Sequence, residues 1–348
     1  CRGKKAEESI QEWKLMLSGD IEEGGAVVRV KTDLELPNPA LRDWPALRIQ
    51  HNAHPIVGDR YKVWPLLDFQ SAVEDHLQGV THIVRGKDLM DSTRKQKLLY
   101  ELLGWDYPET LYWGRVKLLG FGGFSTSSIR KSIEDGDFSG WDDPRLPTVS
   151  ALRRRGFSPQ ALREFWIELG LTQKDISIPM ESIESKNSKI VDRYSERRSF
   201  IESPRELELV GDVDDMGLIS IRRHPDIPEM GVREWDLGTG SIFISENDYS
   251  EGLVRLKDFA DIEIKGDSAF IVSKEKTANL PIIHWVSSKN STEAKIIIPR
   301  DGEIVSAEGV IENIEILTGQ CLQLERMGFA MVEEISETNR VSLIWLHE

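Results

Sequence analysis

Residues 61–103 read YKVWPLLDFQSAVEDHLQGVTHIVRGKDLMDSTRKQKLLYELL, and the hydrophobic period switches repeatedly along them. The pattern predicts a strand at 62–66, a helix at 68–77, a strand at 80–84 and a helix at 88–103. Strand, helix, strand, helix in that order is half of a doubly wound α/β sheet. Open sheets of this kind gather ligand groups beyond the carboxyl ends of their strands. Arg85, which follows the apolar run VTHIV and precedes a helix, is therefore a candidate binding residue.

The regions on either side are built differently. Upstream, EESIQEWKLML at 7–17 puts Ile10, Trp13, Leu15 and Leu17 near one side of a helix, and residues 26–30 alternate like a strand. Short helices dominate residues 126–168, where Ser158 followed by Pro159 is an N-cap with proline at the first helical position. Beyond residue 199, alternating runs at 218–222, 242–245, 269–273, 294–298 and 341–346 sit between Gly, Asp and Asn turns, as in β-barrels or sandwiches. Between these regions lies GWDDPRLPTVSALRRRGF at 140–157, an acidic turn with two prolines followed by a helix that Gly156 stops. Its arginines Arg153, Arg154 and Arg155 fan round a helix end; a solvated surface is the commoner meaning of such a block.

Composition narrows the function classes. The chain has 348 residues, 39% of them hydrophobic, enough for two or three domains with cores of their own. A net charge of −15 argues against non-specific adhesion to polyanions, so any RNA contact must come from local basic patches with strong salt dependence. Cys1 and Cys321 offer no metal-ligand spacing and no disulfide framework, as expected of a reducing cytoplasm. No apolar run reaches membrane-spanning length and no signal peptide is visible.

Taken in order, GDIEEGGAVVRVKTDL, the 61–103 stretch, GWDDPRLPTVSALRRRGF, HPDIPEMGVR, PIIHWVS and CLQLERMGF each resemble counterparts in class I tRNA synthetases of the glutamyl and glutaminyl group. The β-rich C-terminal part is similar to the archaeal-type glutamyl enzymes and the glutaminyl enzymes, which read the anticodon with β-barrels. The resemblance implies a multidomain α/β plus all-β chain. Residues 1–50 would end an acceptor-binding insertion and 51–106 would form the second half of a Rossmann-like catalytic fold. Residues 107–197 would carry a KMSKS-like loop and a helical tRNA-contacting region, and 198–348 two anticodon-binding β-barrels. A His-Ile-Gly-His-like sequence is absent and the seven histidines are scattered. The chain is therefore expected to begin inside the insertion and to be unable, alone, to form an aminoacyl-adenylate.

The same resemblance assigns roles to residues. The place of the family's Lys-Met-Ser-Lys-Ser loop reads GFGGFSTSSIRK at 120–131, with Gly122 and Gly123 for flexibility and hydroxyls on Ser125, Thr126, Ser127 and Ser128. Thr126 stands where the second lysine is usual, so Arg130 or Lys131 is expected to supply the positive charge that phosphate chemistry needs. Arg115, Val116 and Phe124 fall in the same ATP region, although a Gly-Ser-rich turn before a helix is also a plain connection. For the amino acid, a guanidinium at Arg85 distinguishes glutamate from glutamine by a charge-assisted hydrogen bond, about 1.5–3 kcal/mol. A salt bridge from Arg85 to Asp88 is the alternative. Asp68 and Phe69 match the pocket pattern, with Asp68 equally readable as an N-cap; Leu67 replaces a usual Tyr. Arg153, Arg154 and Arg155 would meet the tRNA body.

Arg233, Gln323 and Arg326 fall at positions like anticodon contacts, where unpaired bases are read by stacking and by polar edges. Strand alternation puts Gln323 and Glu325 on one face. Trp235, Trp285 and His284 are expected in barrel packing rather than in base stacking. The implied parent is a cytoplasmic glutamate ligase using L-glutamate and ATP as its Mg²⁺ complex, with no structural metal, no membrane and no DNA partner. It would charge glutamate tRNA, and glutamine tRNA too if non-discriminating. A glutaminyl enzyme, or a non-catalytic tRNA-binding module, is the competing reading.

Overall fold

The computed structural model describes residues 1–119, 125–211, 218–237, 240–277, 279–300 and 302–348. The chain divides into two units, residues 1–117 with 171–176 and residues 118–170 with 177–348. Among the described residues no helix is long and apolar enough to cross a membrane.

In the first unit, strand His82–Gly86 pairs in parallel with Glu109–Trp113, and helix Met90–Leu103 makes the crossover between them. The expected strand at 62–66 is observed as Val63–Pro65. It does not join that ladder but pairs antiparallel with Pro45–Ile49, which pairs in turn with Val27–Arg29. Helix Leu67–Leu77 is tied to the crossover helix by Gln96, buried, which donates to Asp68 O at 3.1 Å and Ser71 Oγ at 2.7 Å and accepts from Tyr107 Oη at 2.8 Å. Tyr100 Oη donates to Ala72 O at 2.8 Å, so two polar clamps cross a core of Val30, Trp44, Ala46, Ala72 and Leu99. In helix Ala6–Ser18 the buried residue is Met16, while Ile10, Leu15 and Leu17 are exposed. Leu15 and Leu17, two apart, lie on opposite sides of a helix, whereas Trp13 and Met16 share one.

The second unit contains two curled sheets whose closure follows from strand order. One runs Ile282–Ile283, Gly252–Leu256, Asp261–Lys265, Ser268–Ser273, Pro204–Val210, Ser241–Ser245, Trp285–Ser287. Its two edge strands are consecutive in the chain, with only His284 between them, so the sheet must curl until its ends meet. The other runs Glu196–Arg198, Cys321–Leu324, Gly328–Ile335, Val341–His347, Ser291–Arg300, Glu303–Glu312, Phe200–Glu202, and here the edges meet at Ser199. Both are barrels closed through one residue. Alternation along the closing strand sends Phe200 into the second barrel's core and Ile201 into the first barrel's, and Val310 and Ile311 divide the same way. Gly309 lies against this strand, where a Cβ would come within 2.1 Å of Ile201 O.

Helices Val149–Arg155, Pro159–Leu169 and Met180–Val191 pack on the second barrel, where Leu152, Phe157, Phe165 and Ile183 meet Cys321, Phe329 and Leu346. Local chemistry sets their ends. Thr148 Oγ1 accepts from Ala151 N at 3.0 Å, Ser158 Oγ accepts from Gln160 N at 3.2 Å, and Gly156 takes φ +102°. The left-handed φ is what calls for glycine there; a Cβ would also meet the flexible end of Met331, Cε, at 2.6 Å.

The three consecutive arginines separate here. Arg155 is 4% exposed, donates to Leu346 O at 2.5 Å and lies 3.9 Å from Glu184. Burial pushes its guanidinium down to about 10, with Glu184 working the other way. Arg154 pairs with Glu333 at 2.6 Å and Asp142 at 3.7 Å. Arg153 is exposed.

We expect Arg155→Met to lower unfolding stability by about 2–3 kcal/mol through the unpaired groups it leaves, and Arg153→Ala to change it by less than about 0.5 kcal/mol. Gly309→Ala should also destabilise, by about 1–3 kcal/mol, because backbone must move to admit the methyl. Urea titration of the three variants measures all of this.

Candidate functional site

In the first unit, Arg85 lies in strand His82–Gly86 opposite Tyr112, half-buried. Its Nη1 donates to Thr93 Oγ1 at 3.2 Å. Among the described residues it has no ion pair, and the alternative bridge to Asp88 is not formed. Its field is felt nearby. Burial raises the Asp75 carboxyl and the Tyr107 phenol above their ordinary values, and the charge of Arg85 offsets part of each rise. A half-buried guanidinium with one hydrogen bond and no ion pair keeps unused donors. Asp68 is not the N-cap, a position held by Leu66; its carboxylate takes Lys95 Nζ at 2.6 Å. Phe69 packs on the core and Leu67 is 61% exposed. Arg115 is exposed, and its backbone N–H donates to Asp175 Oδ1 at 2.7 Å. Val116 begins strand Val116–Leu118.

In the second unit, Ser125 caps helix Thr126–Glu134 by accepting from Ser128 N at 3.1 Å, while Ser128 Oγ accepts from Ser125 N at 2.9 Å. The Ser125 and Ser128 hydroxyls are thus committed to the helix end, whereas Thr126 and Ser127 are exposed. Arg130 and Lys131 are exposed and, among the described residues, unpaired. Phe124, with Gly122 and Gly123, lies outside the described residues. Of the three tandem arginines only Arg153 is both exposed and without a carboxylate partner among those residues, so they do not form one patch.

The residues from HPDIPEMGVR and CLQLERMGF come together. Arg233, Gln323 and Arg326, from segments about 90 residues apart, line one cavity of about 680 Å³ between the barrels, with Arg197, Arg222, Lys257, His284 and Glu325. Both closing residues, Ser199 and His284, also line it. Gln323 lines the cavity, and its Oε1 is buried with no hydrogen-bond partner among the described residues. Arg326 takes φ +67° in the turn after strand Cys321–Leu324; its guanidinium reaches Asp248 at 2.8 and 3.1 Å and Ile282 O at 3.1 Å. Arg233 is almost fully buried and pairs through Nε with Glu312, while its Nη1 donates to Arg222 O at 2.8 Å. Trp235 and Trp285 are core residues, as expected; their indole N–H groups donate to Glu312 Oε1 at 2.7 Å and Lys257 O at 3.0 Å.

Sequence reasoning did not anticipate Glu312. Fully buried, it accepts from Arg233, from Trp235 and from Arg198 Nη1 at 3.2 Å. The available signal was an acid ending the apolar run GVIE in a strand pattern. The partners of Glu325 were also missed. Burial works to raise its carboxyl, but His284 Nδ1 at 2.9 Å and the Lys257 ammonium outweigh that and hold it at about 2.

Comparison with known proteins places the chain beside one family. Residues 1–193 match the model "tRNA synthetases class I (E and Q), catalytic domain", and residues 195–279 match "tRNA synthetases class I (E and Q), anti-codon binding domain". The chain is 44% identical to a glutamate–tRNA ligase of Methanothrix thermoacetophila, over 97% of this chain and 60% of the relative. Identity is 42% to the ligase of Archaeoglobus fulgidus, over 97% and 60%, and 40% to that of Pyrococcus abyssi, over 100% and 62%. The chain thus spans about 60% of the length of the curated relatives it matches.

Glu325 predicts a pH dependence. Its folded value of about 2 lies below the ordinary 4.5, so the stability it contributes is complete above pH 4.5 and is lost as pH falls towards 2. Glu325→Gln should be less stable than the parent at neutral pH, and the two should converge near the acid end of that window when urea midpoints are compared.

Proposed function

Because the chain belongs to the class I (E and Q) tRNA synthetases, we propose that it is part of a glutamate–tRNA ligase. The enzyme would use ATP to activate glutamate and transfer it to the 3′ end of glutamate tRNA in the cytoplasm. The observation that carries the reading is the single cavity into which Arg233, Gln323 and Arg326 converge. An RNA loop base turned out of its stack needs such a recess, with donors and an acceptor meeting its edge. The orphaned Gln323 Oε1 supplies the acceptor and its amide nitrogen a donor.

The choice of amino acid rests on Arg85. Its half-buried guanidinium has hydrogen-bonding capacity to spare, and the side-chain carboxylate of glutamate fits it, whereas the neutral amide of glutamine leaves the charge unmatched. Activation joins the substrate α-carboxylate to the α-phosphorus of ATP, presented as its Mg²⁺ complex, and expels pyrophosphate. Negative charge on the phosphates calls for cations and hydroxyl donors. Arg130 and Lys131, exposed and unpaired among the described residues, together with the Thr126 and Ser127 hydroxyls, are the groups we assign to that task. Arg115, Val116 and Phe124 are assigned to the same ATP region, and Leu67, Asp68 and Phe69 to the amino-acid pocket. Arg153, rather than Arg154 or Arg155, is the member of the tandem we assign to the tRNA body, since of the three it alone is exposed and, among the described residues, unpaired.

Arg85→Gln in the full-length ligase tests the reading. The ratio of kcat/KM for glutamate over glutamine should fall by about one to two decades. An unchanged ratio would remove Arg85 from the pocket. Binding titrations against glutamate tRNA, glutamine tRNA and an unrelated tRNA test the partner, and equal weak binding of all three would count against it.

A further inference from the structure

We propose that Arg222 is the residue through which the inter-barrel cavity grips the ribose-phosphate backbone of the RNA whose base it receives. The other cations of the cavity then serve as internal counter-ions, leaving base selection to uncharged groups. The inference rests on the reading of the cavity as an anticodon-base site.

Six side chains that are or can become positive line the cavity: Arg197, Arg222, Arg233, Lys257, His284 and Arg326. Five are already matched. Arg197 pairs with Asp192 at 2.7 Å, Arg233 with Glu312, Lys257 and His284 with Glu325, and Arg326 with Asp248 at 2.8 Å. Arg222 is different. Its side chain is exposed and has no ion pair or side-chain hydrogen bond among the described residues.

The difference has an energetic meaning. A cation held by a carboxylate must give up that partner to take a phosphate, so the exchange gains little. A free guanidinium gains the whole contact and also releases the phosphate's counter-ion. Its fork of N–H donors matches two phosphate oxygens at once. Arg222 is also tied to the cavity wall through its main chain, since its carbonyl accepts from Arg233 Nη1 at 2.8 Å. In strand Leu218–Arg222, paired with Val232–Asp236, Ile221 is the cross-strand neighbour of Arg233. One residue therefore holds the buried guanidinium by its carbonyl and offers its own to the chain outside. The arrangement also suits a chain of net charge −15, because a cavity walled by neutralised cations does not retain polyanions indiscriminately.

The test titrates the full chain with a glutamate tRNA transcript, and with the same transcript carrying a replaced anticodon, over a series of salt concentrations. Arg222→Ala should weaken both RNAs by about tenfold and make the slope of log K against log salt shallower by about 0.7, one phosphate's worth. Arg222→Lys should keep the parent slope. Gln323→Ala should weaken the glutamate anticodon alone. If Gln323→Ala acts but Arg222→Ala leaves affinity or slope at the parent value, the inference is overturned and the cavity reading stands. If neither variant changes binding, the cavity reading fails and the inference with it.

Discussion

The carboxylate of Glu312 is the contact on which the second unit turns. It ends strand Glu303–Glu312 of one barrel, is sealed from water, and receives the guanidinium of Arg198 from the closing strand and, from the Leu218–Arg222/Val232–Asp236 hairpin, the guanidinium of Arg233 and the indole N–H of Trp235. An isolated buried carboxylate costs several kcal/mol, and it persists only when charge and hydrogen bonds compensate. Two arginines and an indole N–H do so here, all on Oε1, while Oε2 has no hydrogen-bond partner among the described residues. Burial lowers the Arg198 guanidinium, while Glu312 acts in the opposite direction. Such a cluster favours one docking of hairpin on barrel, because any other would leave a charge alone in the core. The cavity inherits its geometry from that constraint, since Arg233 lines it.

Barrel closure supplies the rest of the geometry. Each seven-stranded sheet begins and ends on two pieces of one extended segment, broken at Ser199 in one and His284 in the other. A closing residue cannot continue both ladders in a single pleat, so its side chain is free to serve the cavity. His284 does this through Glu325, which belongs to the other barrel's turn, while Lys257 reaches the same carboxylate. The turn is held on its far side as well, by Arg326 on Asp248 and on Ile282 O. Neutral clamps of this kind hold two barrels at a set spacing without charging the space between them.

The orientation of Arg85 in the first unit depends on a simpler device. Buried Gln96 and Tyr100 tie helix Met90–Leu103 to helix Leu67–Leu77 by hydrogen bonds to its backbone and to Ser71. Thr93, one turn before Gln96, then stands where it meets Arg85. The guanidinium is oriented by a neutral hydroxyl and, among the described residues, forms no ion pair.

What the sequence determined by itself was local or collective. The helix ends at Thr148, Ser158 and Gly156 follow from groups within three residues of one another, and the alternating runs after residue 199 name their strands. The ordered segments resembling class I synthetases identify the family over the whole chain, because many weak matches in one order leave little freedom. Tertiary structure alone decided which charges remain available. Arg153, Arg154 and Arg155 are indistinguishable as letters, yet one is exposed, one is paired with Glu333 and one is buried against Leu346. The strand at 63–65 likewise left the sheet its period suggested, since period reports a strand but not its neighbour. The physical reason is distance along the chain. Caps and periods are set within a turn, whereas the partners of Arg154, Arg155 and Arg198 lie 179, 191 and 114 residues away and meet them only once the barrels close.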